Sequence, residues 1–200
     1  MSFDIWRFVQ NMRKTKKEWT ISINSPVILC YVVLCATVLI LARITGGATT
    51  EKFFSVYRSS LVSPLTYFRF FGHVFGHAGW DHFIGNMTLI LLIGPLLEEK
   101  YGSAFIIKVI LTTALITGIA HFILFPNVML MGASGVVYAF IILSSLTGHK
   151  NGTIPLTFIL VAVIYIGGQI YEGIFVQNNI SNLTHIIGGI VGGILGIWMV

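Results

Sequence analysis

The stretch that decides the fold is residues 109–148, VILTTALITGIAHFILFPNVMLMGASGVVYAFIILSSLTG, 40 residues without one Asp, Glu, Lys or Arg. A membrane-spanning α-helix needs about 20 mostly apolar residues, so this run is too long for one helix and long enough for two. Phe125-Pro126-Asn127 divides it, because proline lacks a backbone donor and disfavours helix in the residue before it. Two spans are expected, at about 104–124 and 132–147. Outward from this core the same reading gives spans at about 27–42 (after Pro26, before Arg43) and 82–97 (ending at Glu98-Glu99-Lys100). It also gives spans at about 154–171 and, after the polar patch 177–182, at 183–200. Six spans result, an all-α polytopic membrane protein.

Composition agrees. Of 200 residues, 56% are apolar and 10% charged, with mean hydropathy +0.88, where a soluble domain carries about 25% charged residues. This excludes a soluble enzyme and a disordered chain, and 12 scattered Lys and Arg make no nucleic-acid surface. Residues 26–200 read as one domain behind a basic tail, 1–25, which does not have the pattern of a secretory signal peptide. In that tail Ile5, Phe8, Val9 and Met12 share one helical face, so it is either a short interfacial helix or a basic segment that fixes topology. Residues 44–80 hold no run long enough to cross but are rich in Phe and Tyr, which favour the membrane–water interface. A structured loop lying in one leaflet is expected there. Cys30 and Cys35 fall on different faces of the first span and are read as unpaired packing residues.

Cationic residues concentrate on cytoplasmic loops. An N-terminus inside places Arg7, Arg13, Lys14, Lys16, Lys17, Lys100, Lys108 and Lys150 in the cytoplasm and leaves Arg43, Lys52, Arg58 and Arg69 opposite. Both termini are therefore expected inside.

Polar residues within spans are costly and mark functional sites. Gly132-Ala133-Ser134-Gly135 opens the fourth span, where backbone N–H groups at a helix N-terminus are free to hold an oxyanion. Taken alone, this cluster suits close helix packing better than chemistry. His185 in the sixth span is followed by Gly188, Gly189, Gly192, Gly193 and Gly196, a small-residue face expected to meet the Gly132/Gly135 end of span four. A neutral imidazole there is either a hydrogen-bonded structural group or a base for a serine hydroxyl. No acid lies near it in sequence; Glu172 and Asp81 are poor candidates for a third group, so a dyad is the simpler reading. The third group is His73-x3-His77-x4-His82-x3-Asn86. His82 and Asn86 share a helix face and could donate to an oxyanion, whereas three histidines in ten residues also look like metal ligands. No H-E-x-x-H accompanies them, and His73 and His77 suit structural roles.

In this order and spacing the motifs resemble the rhomboid family of intramembrane serine proteases, in its six-span form without a seventh helix, over residues 27–200. The resemblance implies Ser134 as nucleophile and His185 as its base, with His82, Asn86 and the Ser134 backbone N–H stabilising the oxyanion. It implies that Tyr138 packs against the catalytic imidazole, that Gly132 and Gly135 support the site, and that Arg69 and Glu98 are scaffold. It further implies cleavage of single- or multi-span membrane proteins in or near their transmembrane helices, without metal or cofactor. Phe68 before Arg69 and Thr184 before His185 depart from the common Trp and Ala. A bacterial plasma membrane, with the site opening outside, fits the pattern; a non-catalytic rhomboid-like binder of transmembrane helices is the alternative.

Overall fold

The computed structural model describes residues 21–148, 153–175 and 179–198, the side chains of 179–181 excepted. Most of the tail 1–25, and part of the polar patch 177–182, lie outside these residues. Eight α-helices are described: α1 Pro26–Ile44, α2 Ala48–Phe53, α3 Pro64–Gly72, α4 Trp80–Tyr101, α5 Ser103–Leu124, α6 Ser134–Ser145, α7 Leu156–Phe175 and α8 Asn179–Trp198. A 3₁₀ turn, His73–Phe75, follows α3. Helices α1, α4, α5 and α7 are long and apolar enough to cross a membrane, whereas α6 and the 182–198 part of α8 are shorter apolar helices. These six form the bundle of an all-α, multi-pass membrane protein.

The helix ends follow from local chemistry. Pro26 sits at the start of α1, where its missing donor costs nothing. Buried Glu98, near the end of α4, accepts the free Val27 and Ile28 N–H groups, each at 3.0 Å, and the Ser103 hydroxyl at 2.6 Å. A carboxylate on a helix N-terminus complements the helix dipole. Helix α4 runs through Glu98 to Tyr101, past the expected stop, and through Pro95; Gly102, at φ +84°, ends it. Helix α5 stops before Phe125-Pro126, and Arg58 caps its C-terminus by donating to the Phe122 and Ile123 carbonyls, both at 2.9 Å.

The aromatic segment between α1 and α4 is structured. Helices α2, α3 and the 3₁₀ turn pack over the bundle, with Phe70 edge-on to Phe122 at 5.4 Å. Arg69 is buried, donates from Nε to the Lys52 carbonyl at 2.8 Å, and lies over the Tyr57 ring at 4.3 Å. Val56 and Leu130 exchange two backbone bonds of 2.9 Å, tying this segment to the loop that precedes α6. Cys30 is exposed, Cys35 is buried, and both are free thiols.

Helix α6 is the centre of the bundle. Its Val136, Phe140 and Leu143 join Ile90 of α4 and Ile106 and Val109 of α5 in the main core. At 1.5 Å per residue its 12 residues rise about 18 Å, far short of a hydrocarbon core of about 30 Å. The Lys100 ammonium donates to the Thr147 carbonyl, which sets the C-terminal end of α6 level with that of α4. Its other end, Ser134, therefore starts inside the membrane.

Candidate active site

Gly132 controls the approach to Ser134. Its φ of +135° is open only to glycine. Its N–H donates to the His73 carbonyl at 2.9 Å, which ends the loop at a fixed place and lets α6 begin at Ser134, two residues later than the periodicity predicts. A Cβ on Gly132 would lie 2.7–2.8 Å from the His82 ring and 3.9 Å from Asn86 Nδ2. His82 and Asn86, the third and seventh residues of α4, thus stand over the segment entering Ser134.

The rest of the histidine run separates by role. His73 is buried, with Nδ1 at 3.2 Å from the Arg69 carbonyl and Nε2 at 3.3 Å from the Thr117 hydroxyl. His77 donates from Nδ1 to the Phe75 carbonyl, and its Nε2 accepts from Asn86 Nδ2, both at 3.2 Å. One amide proton of Asn86 is held by His77; the other has no hydrogen-bond partner among the described residues. Burial pushes His73 and His77 down to about 4, so both rings are neutral and His77 Nε2 stays an acceptor. His73 and His77 go to different partners, and His82 lies edge-on to the His77 ring with centroids 5.1 Å apart.

On the other side, α8 lies against α6. A Cβ on Gly188 would strike the Gly135 carbonyl, and one on Gly192 the Ala139 carbonyl, so both glycines are required by backbone contact. A Cβ on Gly135 would in turn lie 3.2 Å from the Thr184 methyl, whereas the nearest atoms to one on Gly132 belong to α4 and not α8. Tyr138, one turn beyond Ser134, stacks flat on His185, with centroids 4.3 Å apart and planes within 5°. His185 therefore faces the same side of α6 as Ser134. Among the hydrogen bonds of the described residues there is none between Ser134 Oγ and His185. Catalytic bonds commonly tighten only once substrate is bound.

Helix α7 supplies a residue that sequence reasoning missed. His185 Nδ1 lies 2.6 Å from Gln169 Oε1, and Gln169 Nε2 donates to Glu172 Oε2 at 3.4 Å. Glu172 touches Gln169 and not the imidazole. The available signal was a lone amide in the apolar run 154–171. Tyr165, one turn before Gln169, packs edge-on to Tyr138 at 5.9 Å.

This is a multi-pass membrane protein with a serine, an imidazole and two amide or ring donors gathered at the buried start of a short central helix. The family model for the Rhomboid domain matches residues 64–200, and the chain belongs to the rhomboid family. It is 31% identical over 137 residues to Rhomboid-related protein 1 of Caenorhabditis elegans, covering 64% of this chain and 38% of that protein. It is 26% identical to Rhomboid-related protein 2 of Mus musculus, covering 96% of this chain and 70% of that one. Against Rhomboid protease GlpG of Yersinia enterocolitica the identity is 25%, over 86% of this chain and 62% of that protein. The chain thus spans less than two thirds of the first and third of these relatives. Of these three relatives, the Yersinia enterocolitica one is named a protease.

Proposed function

We propose that residues 26–200 form an intramembrane serine endopeptidase that cleaves membrane-protein substrates in or near their transmembrane helices. Ser134 Oγ attacks the scissile carbonyl carbon and its proton passes to His185 Nε2. His82, the free Asn86 amide proton and the Ser134 N–H hold the oxyanion, where preorganised donors contribute most to acyl transfer. Collapse expels the amine, which takes the proton from His185, and water then hydrolyses the Ser134 ester by the same route. No metal or cofactor has a part in these steps. The observation that carries this reading is the bracketing of Ser134 by the His82/Asn86 pair above Gly132 and by His185 stacked on Tyr138.

Lateral entry of substrate between α4 and α7 fits the packing. Only 6% of the apolar window of α7 is buried, against 50% for α5, so α7 is the helix that moves most cheaply. The charge distribution favours both termini in the cytoplasm, and a bacterial plasma membrane with the site open to the outside fits the family pattern.

The test is Ser134→Ala in proteoliposomes with single-span substrates, alongside labelling by a fluorophosphonate. Cleavage and labelling are expected in the parent and absent from the variant, with unchanged unfolding. A parent that binds substrate helices, takes no label and cuts nothing would support a non-catalytic binder instead.

A further inference from the structure

Gln169 is the only buried residue on the 20-residue helix α7 among the described residues. A lipid-facing helix that buries one side chain, and buries an amide, is unusual. Removing an unbonded amide from water costs several kcal/mol, so the two hydrogen bonds of Gln169 are what hold it there. The two ends of that amide are not equivalent. Glu172 is exposed and can only accept, so it selects the Nε2 end and turns Oε1 towards His185. With a carbonyl oxygen 2.6 Å away, His185 Nδ1 must carry its proton, and the lone pair is left on Nε2. The reversed amide would donate to Nδ1, force the proton onto Nε2 and set its own oxygen against the Glu172 carboxylate.

We infer that Gln169, oriented by Glu172, is a positioning residue that holds His185 in the Nδ1–H tautomer, with Nε2 free for the serine proton. This rests on the proposed role of His185 as base. It gives the site a third and fourth member in relay, with a neutral acceptor on the imidazole and the carboxylate one residue further away. A hydrogen bond to the second ring nitrogen is the general way in which a protein fixes an imidazole tautomer. The arrangement also places the tether on the least buried of the four long apolar helices.

The experiment compares the parent chain, Gln169→Leu, and the exchange variant Gln169→Glu/Glu172→Gln, which keeps an acceptor on His185 and a donor beside it. Nitrogen-15 NMR of histidine-labelled protein in micelles, with His185 assigned by subtraction of His185→Ala, reads the tautomer without needing activity. The parent is expected to show Nδ1–H, and Gln169→Leu a mixed population. In cleavage, Gln169→Leu should lower kcat on the order of tenfold at nearly constant KM, part of the 10²–10⁴-fold that a positioned general base contributes. The exchange variant should recover most of it. An unchanged tautomer in Gln169→Leu would overturn the inference, as would an exchange variant no better than Leu. If the parent shows no Ser134-dependent cleavage, the protease reading fails while the tautomer measurement still decides the assignment of Gln169.

Discussion

Gly188→Ala tests whether backbone contact between α6 and α8 sets the catalytic geometry. The added Cβ would lie 2.8 Å from the Gly135 carbonyl carbon and 3.0 Å from its Cα, whereas ordinary contact begins at 3.4 Å. The obstruction is backbone on both sides, so no rotamer change relieves it. The Gly135 carbonyl oxygen lies nearer still, so the two helices must part by about 1 Å, an overpacking that costs at least the typical 1–3 kcal/mol. A misplacement of about 1 Å at a reacting centre can cost 10²-fold, so a loss of up to about 100-fold is expected in cleavage rate. Gly193→Ala is the control, because its Cβ would meet only Ile142 Cγ2, at 3.5 Å. Unfolding in mixed micelles and cleavage in proteoliposomes should both penalise the first variant and spare the second. Equal behaviour of the two would refute the claim that this contact governs the Ser134–His185 spacing.

Two further outcomes are expected. His77→Phe removes the acceptor that orients Asn86 and should slow cleavage by up to about tenfold, the worth of one hydrogen bond, while His77→Gln, which keeps an acceptor, should recover part of the loss; a fully active Phe variant would detach His77 from the oxyanion side. Stability should also depend on pH through the first loop. His73 and His77 sit at about 4 in the folded protein against an ordinary 6.5, so the opened loop binds protons first. Their contribution is complete above 6.5 and lost as pH falls towards 4, and a thermal midpoint no lower at pH 5 than at pH 7.5 would contradict it.

Much of the site was legible because its chemistry is bound to spacing. Ser134 between glycines, His82 and Asn86 one turn apart, and the glycine series after His185 are local patterns. Their meeting is a consequence of which helices lack side chains at Gly135, Gly188 and Gly192. Gln169 had no such pattern: its partners lie three residues away on its own helix and sixteen away on another, and only packing reveals that, among the described residues, it is the buried one of α7. Glu172 was judged by its distance from His185, when its effect runs through an intervening amide. The late start of α6 was hidden for a similar reason. It depends on the His73 carbonyl taking the Gly132 N–H, a contact between segments nearly sixty residues apart.

The brevity of α6 has one more consequence. Asn86 is six residues into α4, so the serine faces a level about 10 Å below the head of that helix at 1.5 Å per residue. A guest helix standing upright in the bilayer would meet Ser134 not at its midpoint but at a residue nearer the end that lies beside the start of α4. Scission would then be gauged by depth, and sliding a guest's apolar stretch along its own sequence would carry the severed bond with it.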